Sequence, residues 1–495
     1  MELFSVQTFL FSFLISLYLY FYFNTSTKKT HKKPGPKIYP IVGVLPDFWK
    51  NRHRFLDWLT EILRDRPTNT NVIWSPIKGY VFVTANPSNV EHMLKTNFEN
   101  YPKGNCFTTL LEDFLGHGIF NSDGELWKIQ RKTASYEFNT KSLRNFIMKT
   151  SPLRSRFAFD NICKLAFNFD PSCLSVNGTG ASEFMRAFEE ATTICSERFL
   201  DALPFIAKFK KFLNIGSERR LKKSVKIVHE FADKIIRSRM GQKMDDLNNF
   251  YGLIIDNEKD LLSRFMSNEE NSPEFLRDIV ISLILAGRDT TSSSLSWFFW
   301  LLSSHPNVEQ NILKELETIR VRYRKNIGET YSYDELHDMH YLHAAISEAL
   351  RLYPPLPADT KTCLNDDIMP DGTFVRKGWQ VTYHMYGMGK MESIWGKNCL
   401  EFFPERWIEN GVFKHESPFQ FAVFQAGLRI CLGRDMAYIQ MKSIAASMME
   451  RFEMEVKSKG KVPEYLLAFT LRMKLGGLPL RVRKRCINEI NWCES

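Results

Sequence analysis

The chain has 495 residues, nine cysteines and a formal net charge of +10 at pH 7, with 25% charged and 44% hydrophobic residues. The basic excess is dispersed, with no aromatic cluster between the cations and no nucleic-acid motif, so nucleic acid is discounted as a partner. Length alone would suggest about three domains, but no linker or repeat is visible beyond residue 36.

In chain order, residues 3–23 (LFSVQTFLFSFLISLYLYFYF) carry no charge and can span a bilayer at 1.5 Å per residue. They exceed a signal-peptide core, follow no basic residue and precede no small-x-small cleavage site, so they are read as an uncleaved transmembrane anchor. Lys28, Lys29, Lys32 and Lys33 follow, which puts that side in the cytosol. Residues 24–36 form a basic, proline-rich linker whose Pro34-Gly35-Pro36 makes a stiff elbow. Residues 37–495 are read as one cytosol-facing domain. The cysteines include no CxxC pair and are read as free thiols in a reducing compartment. The sequon Asn177-Gly178-Thr179 then lies on the wrong side of the membrane to be used.

VFVT (81–84) and QVTY (380–383) read as short strands. Trp127 and Arg131 stand in GELWKIQRK. A long apolar run, 275–304, predicts a helix of about thirty residues, with Ser272 as N-cap, Pro273 at the first position and His305-Pro306 as the stop. Within it lies AGRDTT, where the Thr290 hydroxyl can return to the Ala286 carbonyl and bend the helix. His337, His340 and His343 are spaced three apart, but that spacing drifts around a helix and nothing nearby completes a metal site. Glu348 and Arg351, in SEALRLYPP, share one helical face. Residues 471–482, containing Gly476-Gly477, predict a late hairpin.

The most specific signal is FQAGLRICLG (424–433), in which Phe424, Gly427, Arg429 and Gly433 frame Cys431. A chance occurrence is on the order of one in ten thousand at average residue frequencies. A lone thiolate cannot complete a zinc or iron-sulfur site, but it can supply one axial ligand to heme iron. The glycines allow close backbone approach to a flat porphyrin, and Arg429 is placed to meet a propionate. The loop resembles the heme-binding loop of the cytochrome P-450 monooxygenases.

That resemblance implies a mainly α fold: a single large cytochrome P-450-type helical domain with a small β-rich region, plus the N-terminal transmembrane helix. It implies heme b, with Cys431 as axial ligand and Arg429, Trp127, Arg131, Phe424 and Gly433 about it. O2 is the oxidant, and NADPH electrons arrive through NADPH-cytochrome P-450 reductase. Thr290 and Asp289 resemble the pair that delivers protons for oxygen activation. Glu348, Arg351 and Arg406, the last in FPERW, resemble a structural network beside the cysteine loop. Lys128, Lys132, Arg434 and Lys442 flank the heme motifs and are expected to form a basic face that steers the reductase. The implied location is the endoplasmic reticulum membrane, with the catalytic domain in the cytosol. Leu428 stands where the family usually has proline and Lys390 where arginine is commoner; the first is expected to shift the heme potential modestly at most.

The stretch 383–407, with AYIQMKSI after the cysteine loop, resembles the plant group that hydroxylates fatty-acid chain ends. Its branch also contains jasmonoyl-amino-acid hydroxylases and enzymes oxidising sterol side-chain termini. The order of expectation is fatty acid, then sterol side chain, then jasmonate conjugate; a heme-thiolate lipid-peroxide isomerase is the alternative without oxygen activation. Terminal selectivity requires a narrow apolar channel, because a terminal methyl has stronger C–H bonds than its neighbours. By resemblance its walls fall in 107–115, 283–286, 356–359 and 469–471.

Overall fold

The computed structural model describes residues 42–136, 179–200, 210–248, 261–457, 462–474 and 478–485, except 77 and 269, with ten isolated positions besides. The anchor and linker at 3–36, apart from four of those positions, and Asn177-Gly178 lie outside the described residues. No helix among the described residues is long and apolar enough to cross a membrane.

The principal helices are α1 (Phe55–Arg64), α2 (Asn105–Leu115), α3 (Gly124–Ser135), α4 (Thr179–Leu200), α5 (Gly216–Asn248), α6 (Pro273–Ile284), α7 (Thr290–Leu302), α8 (Pro306–Tyr323), α9 (His340–Leu352) and α10 (Arg434–Arg451). The architecture is mainly helical, as expected. In α1, Leu56, Leu59, Ile62 and Leu63 recur at helical spacing and are all buried. Every residue of α9 from Ala344 to Leu352 is buried. It packs against α7 and α10 in a core that includes Phe298, Leu301, Ile346, Leu350 and Met441. A second core joins α2, α4, α5 and α6 through Leu111, Phe114, Phe188, Val228 and Ile281.

The strands are β1 (Thr70–Ser75), β2 (Gly79–Thr84), β3 (Asp359–Thr362), β4 (Gln380–Tyr383), β5 (Phe452–Val456), β6 (Tyr465–Leu467), β7 (Leu471–Met473) and β8 (Leu480–Lys484), with two further short pairs. The main sheet has the order β1-β2-β4-β3. VFVT and QVTY are neighbours in it, running parallel with Val81 opposite Gln380 and Thr84 opposite Tyr383. Among the described residues, the two strands of the expected late hairpin do not pair with each other. β7 pairs with β6 and β8 with β5, so the two halves of 471–482 belong to different two-stranded sheets. The local pattern specified two strands but not their partners, because pairing is decided by long-range packing.

The predicted long helix starts as expected: the Ser272 side chain accepts the Phe275 N–H at 3.2 Å, with Pro273 in the first turn. It is not continuous α-helix. Leu285–Asp289 forms one π-turn between α6 and α7, a widening often found at functional positions.

Candidate heme-thiolate site

Two backbone features seat the cysteine loop. Gly427 has φ +59°, and a Cβ there would lie 1.9 Å from the Leu94 carbonyl oxygen, so only glycine fits. Gln425, with φ 60°, is a non-glycine residue in the left-handed region, a conformation that surrounding contacts must enforce. Here the Tyr383 hydroxyl is hydrogen-bonded to the Gln425 side-chain amide. The Cys431 N–H donates to the Phe424 carbonyl at 2.8 Å, closing the loop, and Gly433 then caps α10.

Cys431 is reachable by solvent, yet burial is the largest influence on its thiol and raises its pKa. Both hold if the sulfur lines an interior cleft rather than the outer surface. The Gly433 amide and the charges of Arg131 and Arg434 oppose that rise and favour the thiolate.

Trp127, on the buried face of α3, lies between two guanidiniums: Arg429 is 4.3 Å from its ring centre and Arg131 5.8 Å. Arg429 is paired with Asp123 at 2.5 Å. Its Nε is buried without a partner, a donor left for an acceptor.

Two further cations were not singled out in the sequence. Lys361 is 1% exposed, and its Nζ is 2.8 Å from Asp359, two residues earlier on the same face of β3. Asp359 also accepts the Tyr383 hydroxyl at 2.9 Å. These charges and bonds hold its carboxyl well below the usual range despite burial. Lys103 is 8% exposed and rests 4.6 Å from the Phe107 ring centre. Burial, then the charge of Lys361, lowers its pKa to about 7. The readable signal was a lysine at an inward strand position; Lys103 carried none.

Lys103, Lys361 and Arg429 thus lie within electrostatic reach of one another and of Asp359 and Asp123, and Arg131 lies within reach of Arg429. With Glu99 also acting on Arg429, the basic groups still outnumber the carboxylates. Heme propionates would add acceptors for these donors, so the donor set fits heme.

On the α6–α7 side the Thr290 hydroxyl donates to the Ala286 carbonyl at 2.6 Å, as the sequence suggested. The adjacent Asp289 is buried, with Arg288 3.2 Å from Oδ1 and Arg472 bonded to Oδ2.

Glu348, Arg351 and Arg406 come together. Arg351 grips Glu348 through Nε and Nη2, both at 2.7 Å. Arg406 Nε donates to the same carboxylate at 3.0 Å and Trp407 Nε1 at 2.8 Å. The second guanidinium face of Arg351 reaches the carbonyls of Gly389 and Cys399, tying α9 to the segment before the cysteine loop.

Two expectations are corrected. Lys442 is not part of a basic surface; it is 4% exposed and donates to the Leu336 carbonyl, because its position on α10 faces the core. Asp359 is no apolar wall residue, since Lys361 and Tyr383 hold it in the cation cluster. Leu356 is partly buried and packs against the core around the main sheet. Of the remaining basic-face residues, Lys128 and Arg434 are exposed and paired with Glu125 and Asp435. His343 is stacked between Phe413 and Tyr438. Lys390 is buried, with Nζ on the Leu352 carbonyl and the Tyr386 ring.

The other wall segments converge. Phe107, Leu111, Phe114, Leu283, Leu285 and Phe469 belong to one apolar cluster. Phe199, at the end of α4, links them, with ring centres 5.2 Å from Phe107 and 6.5 Å from Phe469.

Residues 147–475 match the family described as Cytochrome P450. The chain is 48% identical over 473 residues to Cytochrome P450 CYP94D108 of Paris polyphylla, covering 90% of this chain and 91% of that protein. It is 44% identical over 481 residues to Cytochrome P450 94A1 of Vicia sativa, covering 91% and 90%. With Cytochrome P450 94B1 of Arabidopsis thaliana the identity is 42% over 506 residues, covering 95% and 96%.

Proposed function

This chain belongs to the cytochrome P450 family, and from that premise we propose that it hydroxylates the terminal carbon of a slender lipid chain, a fatty acid before a sterol side chain or a jasmonoyl-amino acid. The protein is a heme-thiolate monooxygenase that uses O2 and NADPH-derived electrons delivered by a reductase. The heme, when bound, supplies the chemistry of oxygen reduction and C–H oxidation.

The chain's own residues have the remaining tasks. Cys431 would supply the thiolate that holds the heme iron, with the Gly433 amide moderating the charge on its sulfur. Arg429, Arg131, Lys361 and Lys103 neutralise the propionates, and Trp127 keeps two of those cations in place. Thr290 and Asp289 move protons from solvent toward the oxygen-binding side.

The observation that carries the substrate reading is the apolar, aromatic cluster formed where α2, α4, α6 and the residues before β7 meet. A flexible chain has many methylenes with weaker C–H bonds than its terminal methyl, so only a lining that admits the end of the chain selects it. Product alcohol held in the same channel is open to further oxidation.

The charge-free run at 3–23 and the lysines after it support an anchor in the endoplasmic reticulum membrane, with the domain in the cytosol. The test uses microsomes containing the protein and its reductase, with NADPH and a mixture of a long-chain fatty acid, a side-chain-intact sterol and a jasmonoyl-amino acid. Oxygen at the fatty-acid terminus is the expected result. Oxygen on the sterol alone would overturn the fatty-acid assignment and leave the chemistry standing.

A further inference from the structure

The carboxylate of Asp289 is held by two arginines from distant parts of the chain. Arg288, its neighbour in the π-turn, lies 3.2 Å from Oδ1 and is itself paired with Glu189 of α4 at 2.8 Å. Arg472, on β7, bonds Oδ2 and also donates to the Thr192 hydroxyl of α4 at 3.2 Å. Two carboxylates and two guanidiniums therefore form a neutral quartet across three elements. Removing Arg472 leaves that quartet one positive charge short around an acid that is 2% exposed.

Of the two arginines on this buried acid, Arg472 is the more exposed, its side chain 21% exposed against 7% for Arg288. The strand of Arg472 is fastened beside the acid. The Leu471 carbonyl accepts from Ser293 Oγ at 2.6 Å and from Trp297 Nε1 at 2.9 Å, both on α7. The Leu471 N–H donates to the Pro355 carbonyl at 2.8 Å. Arg472 consequently meets Asp289 on a preorganised support.

We propose that Arg472 is a positioning residue for proton delivery, holding the Asp289 carboxylate in the orientation from which it serves Thr290 and is recharged from solvent. Each proton that Asp289 passes inward is replaced from solvent, and Arg472 stays protonated throughout. Productive turnover converts substrate, O2, NADPH and a proton into alcohol, water and NADP+. When proton delivery fails, O2, NADPH and a proton yield hydrogen peroxide and NADP+ instead. The strand that follows the Phe469 part of the channel lining is thereby coupled to the acid that feeds the reaction.

The inference rests on Asp289 being the proton-delivery acid, and the test separates the two. Full-length holoenzyme with reductase is compared with Arg472→Gln, Arg472→Lys and Asp289→Asn, using whichever substrate of the mixture wild type oxidises. Carbon monoxide difference spectra set the amount of intact heme-thiolate enzyme. Arg472→Gln is expected to lower product per NADPH about tenfold, with a matching rise in peroxide and a larger solvent isotope effect on turnover. Arg472→Lys falls between, because it keeps the charge but loses the planar guanidinium whose Nη2 meets both Thr192 and Asp289. Wild-type coupling in both Arg472 variants, with Asp289→Asn uncoupled, overturns the proposal and leaves the Asp289 assignment intact. Wild-type coupling in Asp289→Asn overturns that assignment and the proposal with it. If Arg472→Gln retains no heme, Arg472→Lys decides: wild-type coupling and isotope effect refute the role.

Discussion

Removal of the Glu348 carboxylate should abolish heme incorporation, although Glu348 touches no part of the proposed ligand set. The carboxylate is fully buried and receives five hydrogen bonds: two from Arg351 at 2.7 Å, one from Arg406 at 3.0 Å, one from the Trp407 indole at 2.8 Å and one from the Phe403 amide at 3.1 Å. Glu348→Ala leaves Arg351 buried with carbonyl partners but no counter-charge, at a cost of roughly 3–5 kcal/mol. The orphaned indole and amide donors add about 1–3 kcal/mol each. A folded domain has only about 5–15 kcal/mol in total, so the loss is comparable with the whole. It falls on the contact between α9 and the segment that precedes the cysteine loop. Expression of Glu348→Ala should therefore give little protein with a heme-thiolate carbon monoxide spectrum, whereas Arg406→Lys, which keeps the charge, should give more. Normal holoprotein yield from Glu348→Ala, with an unchanged melting temperature, would refute the reasoning.

Lys103→Met should speed heme loss to a scavenging globin by about ten- to a hundredfold, the value of one charge-assisted hydrogen bond of roughly 1.5–3 kcal/mol; an unchanged rate would remove Lys103 from the propionate cluster. The Lys442 pKa is lowered by burial to about 8, against about 10.5 in the unfolded chain. Between those values the unfolded state binds more protons, so stability rises with pH over that window and the rise is complete above it. Lys442→Met should flatten this rise in melts from pH 7 to 10.5, and parallel wild-type and variant curves would contradict the linkage. Phe199→Ala removes the ring joining Phe107 and Phe469, so the fraction of oxygen placed at the chain terminus should drop in favour of internal carbons. An unaltered product distribution would place the channel elsewhere.

Those features written within one stretch of chain were legible before the structure. FQAGLRICLG needs no partner to be read, and neither does the Thr290 hydroxyl bond to Ala286, which lies four residues back in one helix. VFVT and QVTY were readable as strands, but only the sheet makes them parallel neighbours. Where an outcome depended on distant chain, the local pattern misled. Both halves of 471–482 are strands, yet each pairs with a segment that precedes it. Lys442 has the composition of a surface cation and sits on the core face of α10. The π-turn at Leu285–Asp289 leaves the apolar periodicity on either side nearly intact, so a single long helix was the natural reading.

The cation cluster shows why the least legible residues can matter most. Burying Lys103 or Lys361 alone is unfavourable, and burial depresses both pKa values. Nothing in YPKGN or PADTK identifies the charge that would compensate. The compensation is collective. Asp359 and Asp123 offset part of the charge, and the carboxylates a porphyrin carries would offset more. A cluster with excess positive charge is costly in the protein by itself and becomes favourable when the group arrives, so heme binding is expected to raise the Lys103 pKa toward its ordinary value. Asp289 follows the opposite logic. Its charge is already balanced by Arg288 and Arg472 within the chain, which leaves that carboxylate independent of the propionates and free to serve turnover.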